Sequence, residues 1–330
     1  MSAERGALAP DIAAAVAALR AGDLVAFPTE TVYGLGADAR NPDALRRVYA
    51  LKGRPADHPL ILHLASVAQL PQWVASVPEA ALELARRHWP GPLTLVMPRA
   101  AGVSDVLTGG QNTIAVRVPA HPVARALLEA FDGGIAAPSA NRYGHVSPTR
   151  AAHVREEFPS GIAVILEGGD CEVGLESTIV ALDRTPARLL RPGAIGRVAL
   201  EAVLGPIEVG ADAAAPRVPG STLQHYAPAT PVALASAEEI DRRCRAVSAS
   251  SATIAVLARR APPPECAELE ARGLWWRAPT EASGYARVLY AALRALDKCG
   301  AERILVERVP EDPEWDAARD RLQRAAATFI

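Results

Sequence analysis

The chain has 330 residues, of which 50% are hydrophobic and 22% are charged, a composition typical of folded globular proteins rather than disordered ones. Its 35 lysine and arginine residues nearly balance 37 aspartate and glutamate residues, so the net charge does not indicate a protein that coats nucleic acid or an anionic membrane. The 4 cysteines form no C-x-x-C pair, which disfavours both a zinc knuckle and a secreted disulfide framework.

The N-terminal segment does not match a targeting or membrane-spanning sequence. The alanine-rich run at residues 12–19 ends at Arg20, follows no basic stretch and is too short to cross a bilayer. We therefore expect a cytoplasmic protein that does not associate with a membrane. The length of the chain predicts about two domains, each with its own core.

Helix-like and strand-like patterns alternate through residues 1–205 and predict an α/β domain. Gly22 is expected to end a first helix, and Asn41 before Pro42 is typical of the start of a second. The first predicted elements are a helix at residues 11–20, a strand at 24–27, a long polar turn at 28–40 and a helix at 42–51. Further strands are predicted at residues 60–64, 93–97, 113–118, 135–137, 163–166, 178–182 and 188–190, with helices at 121–131 and 149–158.

The periodicity fails at residues 205–231, where proline, glycine and alanine dominate, which is typical of an extended linker. Ser236 and Glu239 beyond it form a capping-box pattern that predicts a helix start. Strands are predicted at residues 232–234, 254–257 and 304–306, with helices that begin near Ser236 and Gly284. This order predicts a small doubly wound α/β domain.

Two nucleotide-binding motifs can be tested against the sequence. Neither Lys52 nor Lys298, the two lysines of the chain, follows a glycine, so a P-loop is excluded. Residues 34–39, GLGADA, match the relaxed dinucleotide fingerprint G-x-G-x-x-A, and Asp57 lies at a suitable distance. However, residues 28–33 separate the strand from the glycines, and the helix begins later than that fingerprint requires, so a nicotinamide site is disfavoured.

Polar, glycine-containing segments follow several predicted strands. Residues 28–36, PTETVYGLG, are too polar for a core element, and open α/β sheets place their ligands at strand ends, which favours a substrate loop over an ordinary surface loop. Residues 138–141, PSAN, residues 174–178, GLEST, and residues 191–193, RPG, either turn the chain or supply donors to phosphate oxygens. The pattern leaves both interpretations open.

The charged segment at residues 52–55, KGRP, follows a predicted helix. Two interpretations explain its cations equally well. The first is a solvated helix end, where the helix dipole favours positive charge. The second is a polyphosphate site, in which Lys52 acts as a point charge and Arg54 binds phosphate through paired hydrogen bonds. His63 stands out because it lies inside an apolar strand pattern. The 7 histidines show no metal-binding spacing, so no metal site is predicted.

Together these segments resemble the threonylcarbamoyl-AMP synthase family with the YrdC-like fold, in its longer two-domain form. The matching sequences, from about residue 27 to residue 228, are PTETVYGLGADA, KGRPADHPLILH, WPGPLTLV, TIAVRVPAHP, APSAN, SPT, GLESTIV, LLRPG and HYAP. The resemblance implies an α/β protein with a YrdC-like twisted open sheet and helices, followed by a smaller doubly wound α/β domain. We expect a catalytic domain at residues 1–205, a linker or lid at 206–230 and an accessory domain at 231–330.

The resemblance also implies which residues bind the substrates. Those expected to bind L-threonine are Thr31, His63, Arg117, Ala137 and Ser177. Those expected to bind ATP are Lys52, Arg54, His58, Thr113, Ser139, Asn141, Ser147, Arg191 and Tyr226, with Lys52 and Arg54 also acting in catalysis. Many relatives carry basic residues before HYAP, whereas here residues 221–224 read STLQ. The resemblance therefore does not extend to phosphate contacts from that segment.

The implied activity is synthesis of threonylcarbamoyl-AMP and pyrophosphate from L-threonine, bicarbonate or CO2, and ATP, with Mg2+ expected on the nucleotide. The product is the activated intermediate for threonylcarbamoyladenosine modification of tRNA next to the anticodon, so a tRNA-modifying threonylcarbamoyl transferase complex is the expected downstream partner. Direct tRNA binding stays open. One alternative is a carbamoyl-transfer module, which zinc-finger and acylphosphatase-like segments would normally accompany. Another is an RNA-binding module for ribosome maturation, with salt-dependent affinity and no turnover.

Overall fold

The structure, a computed structural model, describes residues 3–210, 215–220, 225–247 and 253–327, with side chains described from residue 11 onward except at residue 247. Residues 221–224, where the sequence departs from the family pattern, lie outside the described residues. The chain divides into two compact units, Met1–Tyr143 with Pro148–Ser221, and Gly144–Ser147 with Thr222–Ile330. The chain therefore enters the second unit briefly before it completes the first.

One mixed sheet of 10 strands organises the first unit, in the order β10-β9-β8-β4-β5-β3-β6-β2-β1-β7. Its strands are β1 (Val25–Phe27), β2 (Gly34–Asp38), β3 (Ile61–His63), β4 (Leu93–Pro98), β5 (Thr113–Arg117), β6 (Ile135–Ala136), β7 (Val164–Ile165), β8 (Thr178–Ala181), β9 (Arg188–Arg191) and β10 (Glu208–Val209). Its helices are α1 (Ala3–Arg20), α2 (Pro42–Lys52), α3 (Glu79–His88), α4 (Asp105–Thr108), α5 (Pro122–Phe131), α6 (Ala151–Glu157) and α7 (Arg197–Leu204). The predicted α/β class is confirmed.

The start of α2 follows the predicted capping pattern. The Asn41 side chain accepts hydrogen bonds from the amides of Asp43 and Ala44, and Pro42 occupies the first turn, where its missing amide hydrogen has no helical partner to lose. Gly53 ends the helix in the left-handed region, with φ 63° and ψ 30°, a conformation that glycine adopts without strain. This cap fixes Lys52 as the last helical residue. Helix α1 begins earlier than predicted, at Ala3.

The predicted long turn at residues 28–40 is wrong, because β2 lies within it and pairs antiparallel with β1. Glycine lowers strand propensity, so the pattern GLGAD did not indicate a strand. The structure shows why glycine is needed there: a Cβ on Gly36 would lie 2.8 Å from the Phe27 ring and 3.0 Å from the Ile135 side chain. Since these glycines lie in a strand and not at a helix start, the dinucleotide interpretation loses its basis.

Apolar side chains cover both faces of the sheet near β1. Ala26 belongs to the largest buried cluster, while Val25 and Phe27 point to the opposite face and pack with residues of α1 and α5 such as Leu19 and Leu127. Each large side chain buried in this way stabilises the fold by about 1.5–3 kcal/mol. Because apolar side chains cover both faces of the sheet near β1, polar groups there lie in the loops at the strand ends.

The second unit contains a parallel sheet of 4 strands in the order β11-β14-β12-β13. Its strands are β11 (Val232–Ala235), β12 (Ile254–Ala258), β13 (Trp275–Arg277) and β14 (Arg303–Glu307), and its helices are α8 (Ala237–Val247), α9 (Ala267–Ala271), α10 (Ala282–Asp297) and α11 (Asp316–Ala326). The Ser236 hydroxyl accepts from the Glu239 amide at 3.2 Å, as the capping-box pattern predicted. The pattern did not predict β13 or the strand β10, which lies inside the expected linker.

Candidate active site

Arg117 lies at the centre of a buried polar cluster at the end of β5. Its Nη1 donates to Thr31 Oγ1 at 2.8 Å, its Nε donates to the Gly91 carbonyl at 3.2 Å, and its Nη2 lies 2.6 Å from Glu30 Oε1. Arg117 is 4% exposed. Because a guanidinium recognises carboxylates through paired hydrogen bonds, this cluster can bind the carboxylate of a small molecule.

Thr29 fixes the loop that presents Thr31. The two hydroxyl oxygens lie 2.7 Å apart, and Thr29 Oγ1 also donates to the Val32 carbonyl at 2.6 Å. The amides of Thr31 and Val32 approach the same oxygen at 3.2 Å. Threonine hydroxyls commonly close such local turns, and here the turn holds the Thr31 hydroxyl against Arg117.

His63 lies beside Arg117, because β3 and β5 are parallel neighbours that pair these two residues. Its Nδ1 lies 3.2 Å from the Ile61 carbonyl, and its ring meets the edge of Phe27. Burial, followed by the positive charge of Arg117, lowers the pKa of His63 to about 3. His63 is therefore neutral at physiological pH and adds no charge to the cluster.

We expect the variant His63→Gln to be less sensitive to acid than the wild-type protein. A histidine in the unfolded chain titrates near pH 6.5, whereas folded His63 stays neutral down to about pH 3. Between these values the unfolded state binds more protons, so His63 lowers the free energy of unfolding as the pH falls, by at most about 1.4 kcal/mol per pH unit. Urea unfolding at several pH values in this window checks the prediction. Equal pH slopes in the two proteins would contradict it.

Ser177 contacts one residue at the end of β9 and one near the start of β4. Its hydroxyl lies 2.7 Å from Thr94 Oγ1 and accepts from Arg191 Nη2 at 3.2 Å, while its carbonyl accepts from Arg191 Nε at 3.0 Å. Arg191 also donates to the Pro219 carbonyl at 2.8 Å. The pairing of β4 with β5 ends at Leu95 and Val116, and Thr94 and Arg117 are the residues that adjoin this last pair in the sequence.

Lys52 forms a second buried cationic site. Its Nζ donates to the Ser139 carbonyl at 2.6 Å and to the Asn141 carbonyl, and its own carbonyl accepts from the Tyr143 amide at 2.7 Å. Burial, and then the nearby charge of Arg54, lower the pKa of Lys52 well below its usual value. Since an ammonium carries three N–H donors, one remains for a ligand oxygen.

Arg54 and His58 extend the Lys52 site. Arg54 Nη2 donates to the Pro59 carbonyl at 3.0 Å, and Arg54 is 7% exposed. His58 Nδ1 lies 3.3 Å from the Tyr143 hydroxyl, and burial together with the Arg54 charge lowers the pKa of His58. Two buried cationic side chains this near each other, Lys52 and Arg54, could stabilise the negative charge of a phosphate group.

Main-chain contacts join the Arg117 cluster to the Lys52 site. Gly34 pairs with Ser139 in an antiparallel bridge, the Leu35 amide donates to the Pro138 carbonyl at 2.7 Å, and the Ala140 amide donates to the Tyr33 carbonyl at 2.8 Å. The loop that carries Thr31 is therefore joined by main-chain hydrogen bonds to the loop that surrounds Lys52. A ligand with a carboxylate and a phosphate could contact both.

The remaining predicted residues fall in several places. Ala137 donates its amide to the Ile61 carbonyl at 2.9 Å, beside β3, and Thr113 begins the strand that Arg117 ends. Ser147 and Tyr226 belong to the second unit. There the Tyr226 ring stacks on Tyr290 with centroids 5.6 Å apart, and the Arg321 guanidinium lies 5.3 Å from the Tyr226 ring.

Sequence reasoning missed Glu30, Thr94 and Tyr143 in this site. Glu30 lies inside the predicted substrate loop, and a carboxylate between two threonines was the available signal. Thr94 sits within an apolar strand pattern, where a lone hydroxyl gives no indication of its partner. Only the pairing of β4 with β5 and β8 brings Thr94 to Ser177.

Across the residues that the structure describes, no group of three or more histidine, cysteine, aspartate or glutamate side chains could hold a metal ion. In the same part of the chain, no helix combines the length and the hydropathy needed to cross a membrane.

Two family models match the chain, one described as "Telomere recombination" at residues 17–193 and one described as "Threonylcarbamoyl-AMP synthase, C-terminal domain" at residues 195–327. The threonylcarbamoyl-AMP synthase of Pyrococcus abyssi is 41% identical over 317 residues, which cover 94% of this chain and 93% of the relative. That of Bacillus subtilis is 40% identical over 326 residues, covering 96% and 93%. The crystal structure of P. abyssi Sua5 complexed with L-threonine matches with a TM-score of 0.88 and 39% identity, covering 96% of this chain and 94% of that one.

Proposed function

This chain belongs to the threonylcarbamoyl-AMP synthase family, and from that premise we propose that it is a nucleotidyltransferase that makes threonylcarbamoyl-AMP and pyrophosphate from L-threonine, bicarbonate or CO2, and ATP. The observation that carries the proposal is a pair of buried sites, Arg117 with Thr31 and Lys52 with Arg54, whose neighbouring loops are joined at Gly34 and Ser139. One site suits a carboxylate and the other suits a polyphosphate. The substrates of this reaction carry these two groups.

The proposed reaction needs no nucleophile from the protein. The threonine nitrogen attacks the carbon of CO2 and loses a proton, which gives a carbamate. A carbamate oxygen then attacks the α-phosphorus of ATP, the bond from that phosphorus to the bridging oxygen breaks, and pyrophosphate leaves. Catalysis comes from holding two anions in line and from stabilising the charge on the leaving group.

The amino-acid side of the site would be formed by Arg117, Thr31, His63, Ala137 and Ser177. Arg117 would bind the threonine carboxylate through paired hydrogen bonds. Neutral His63 and the hydroxyls of Thr31 and Ser177 can exchange hydrogen bonds with the substrate hydroxyl. Buried polar groups of this kind reject a substrate that lacks the hydroxyl, because they would then stay unpaired.

The nucleotide side would be formed by two sets of residues. Lys52 and Arg54 would stabilise the leaving pyrophosphate and are the proposed catalytic residues. The other proposed ATP ligands are His58, Thr113, Ser139, Asn141, Ser147, Arg191 and Tyr226. Mg2+ would arrive on the phosphates of ATP, where it usually keeps several of its waters, since the described residues offer no three-ligand cage for it.

The product is a mixed anhydride that water hydrolyses, so an acceptor must collect it promptly. We assign that role to a threonylcarbamoyl transferase complex that modifies tRNA. We place the reaction in the cytoplasm, where ATP and tRNA are both available. The linker with Tyr226 would act as a lid that excludes water from the carbamate and the adenylate.

The experiment that tests the proposed function is pyrophosphate release from ATP in the presence of bicarbonate. L-threonine, L-serine and no amino acid are compared at equal enzyme concentration. We expect release to depend on L-threonine and to be weaker with L-serine, from which only a methyl group distinguishes it. Absence of release under every condition would overturn the proposal.

We expect Ser177→Ala and Arg191→Ala to be non-additive in threonine binding. Arg191 holds both the hydroxyl and the carbonyl of Ser177, so each substitution disturbs the same contact. The coupling energy between contacting residues should be about 1 kcal/mol, measured from threonine dissociation constants of the single and double variants. Arg188 supplies the control, since its guanidinium contacts Glu208 instead, and Arg188→Ala should combine additively with Ser177→Ala. Additive effects in the Arg191 cycle would contradict the coupling.

A further inference from the structure

Glu30 is the acidic member of the Arg117 cluster, and the reaction proposed above gives it no role. Its Oε1 lies 2.6 Å from Arg117 Nη2, and its Oε2 accepts a hydrogen bond from the Ala120 amide at 3.0 Å. Glu30 is 5% exposed. Burial alone would raise the pKa of Glu30, but the charge and hydrogen bond of Arg117 outweigh it, so the pKa falls below its usual value and Glu30 is anionic at neutral pH.

The contacts of Arg117 leave a defined part of its guanidinium for a ligand. The group carries five N–H donors. Nε donates to the Gly91 carbonyl, Nη1 donates to the Thr31 hydroxyl, and Nη2 forms an ion pair with the Glu30 carboxylate. At least one N–H therefore remains on each terminal nitrogen. Two parallel donors on the terminal nitrogens are the arrangement that a carboxylate accepts in bidentate form.

We propose that Glu30 is a positioning residue that orients the Arg117 guanidinium, so that its two remaining N–H groups face the carboxylate of the amino-acid substrate. This inference rests on the proposed function. The Ala120 amide, in the main chain just after β5, donates to Glu30 and so fixes the position of the Glu30 carboxylate. Through Glu30, this main-chain contact also fixes the orientation of the Arg117 guanidinium. A flexible arginine side chain could reach the same carboxylate without Glu30, but it would lose rotamer freedom on binding.

Glu30 also sets the charge of the cluster. Arg117 and Glu30 together are neutral, and His63 is uncharged, so the empty cluster has no net charge. Affinity for the substrate then depends on two directed hydrogen bonds rather than on excess positive charge. Such a site favours a planar carboxylate over an inorganic anion such as sulfate, whose recognition depends more on charge.

The test compares L-threonine binding to the wild-type protein and to Glu30→Gln by calorimetry, without ATP. Gln keeps the size of Glu and can still accept from the Ala120 amide, so the variant removes mainly the charge. We expect the threonine Kd to rise about tenfold, while the ATP Kd stays within about twofold. Sulfate should compete with threonine more strongly in the variant, because the cluster has then gained a net positive charge. Glu30→Asp, which keeps the charge, should recover part of the affinity.

Glu208→Gln is the matched control, since Glu208 pairs with another buried arginine, Arg188, and should leave threonine binding unchanged. In an Arg117→Ala background, Glu30→Gln should add less than about a twofold effect. A threonine Kd in Glu30→Gln that is unchanged or lower would overturn the proposal, as would equal weakening of threonine and ATP, which indicates a purely structural role. A wild-type protein that binds no threonine would overturn the proposed function itself.

Discussion

Replacing Arg117 with alanine is expected to raise the threonine Kd roughly a hundredfold or more, a loss of about 3 kcal/mol, with little change in the ATP Kd. The substitution removes both N–H groups proposed to bind the substrate carboxylate, and no other cation contacts Thr31 in the described hydrogen bonds. Calorimetric titration of L-threonine and of ATP measures the two effects separately. An unchanged threonine Kd would exclude Arg117 from the binding site.

Stability has to be separated from binding in this test. Arg117→Ala leaves Glu30 buried without its ion-pair partner, which is expected to cost about 3 kcal/mol of folding free energy. Arg117→Lys keeps a positive charge near Glu30 but cannot form the planar fork, so it should fold well and still weaken threonine binding about tenfold. Arg188→Ala is the control, because Arg188 is equally buried, at 5% exposure, and faces Glu208 instead.

Replacing Lys52 with alanine is expected to reduce turnover by about a thousandfold, with the threonine Kd nearly unchanged. The Lys52 ammonium is held by the carbonyls of Ser139 and Asn141, and its third donor is proposed to stabilise the leaving pyrophosphate. Threonine-dependent pyrophosphate release at saturating ATP gives the turnover. Lys298→Ala is the control, since Lys298 is the one other lysine of the chain and is exposed.

A measurement of proton uptake tests the same assignment. Because burial and Arg54 lower the pKa of Lys52, the ligand-free protein releases this proton more readily than an ordinary lysine does. Phosphate charge next to the ammonium raises the pKa again, so ATP binding should take up protons at pH values that lie between the pKa of Lys52 without ATP and its pKa with ATP. Calorimetry in buffers of different ionisation enthalpy detects the uptake, which should disappear in Lys52→Ala. Near-normal turnover in that variant would exclude Lys52 from catalysis.

The parts of the fold that the sequence predicted are those with an unambiguous local signal. Strands β4 and β5 follow continuous apolar runs, and α2 follows the Asn41 cap. Strand β2 was missed because its glycines are required by close contacts with other parts of the chain. A Cβ on Gly36 would clash with Phe27 and Ile135. A local pattern carries no information about a partner at such distances.

The same distinction applies to the candidate site. The cations Lys52 and Arg54 were recognisable as candidates, but a solvated helix end explained them equally well. Their burial and the contact of Lys52 with the Ser139 carbonyl disfavour a solvated helix end, and their role at a phosphate stays a proposal. Glu30 was not recognised at all. Its meaning depends on Arg117, 87 positions later in the chain, and only the pairing of strands brings the two together.

Residues 144–147 belong to the second unit although the chain on either side of them belongs to the first, and this limits how the protein can be divided. The Ala227 amide donates to the Gly144 carbonyl, His145 bridges to Ala227, and Arg294 donates to the Val146 carbonyl, all inside the second unit. A fragment that begins at residue 225 would lack these partners, and one that ends before residue 205 would carry them without their counterparts. A single crossover between the genes of two relatives could not exchange the second unit whole. It would separate residues 144–147 from the rest of the unit in which they fold.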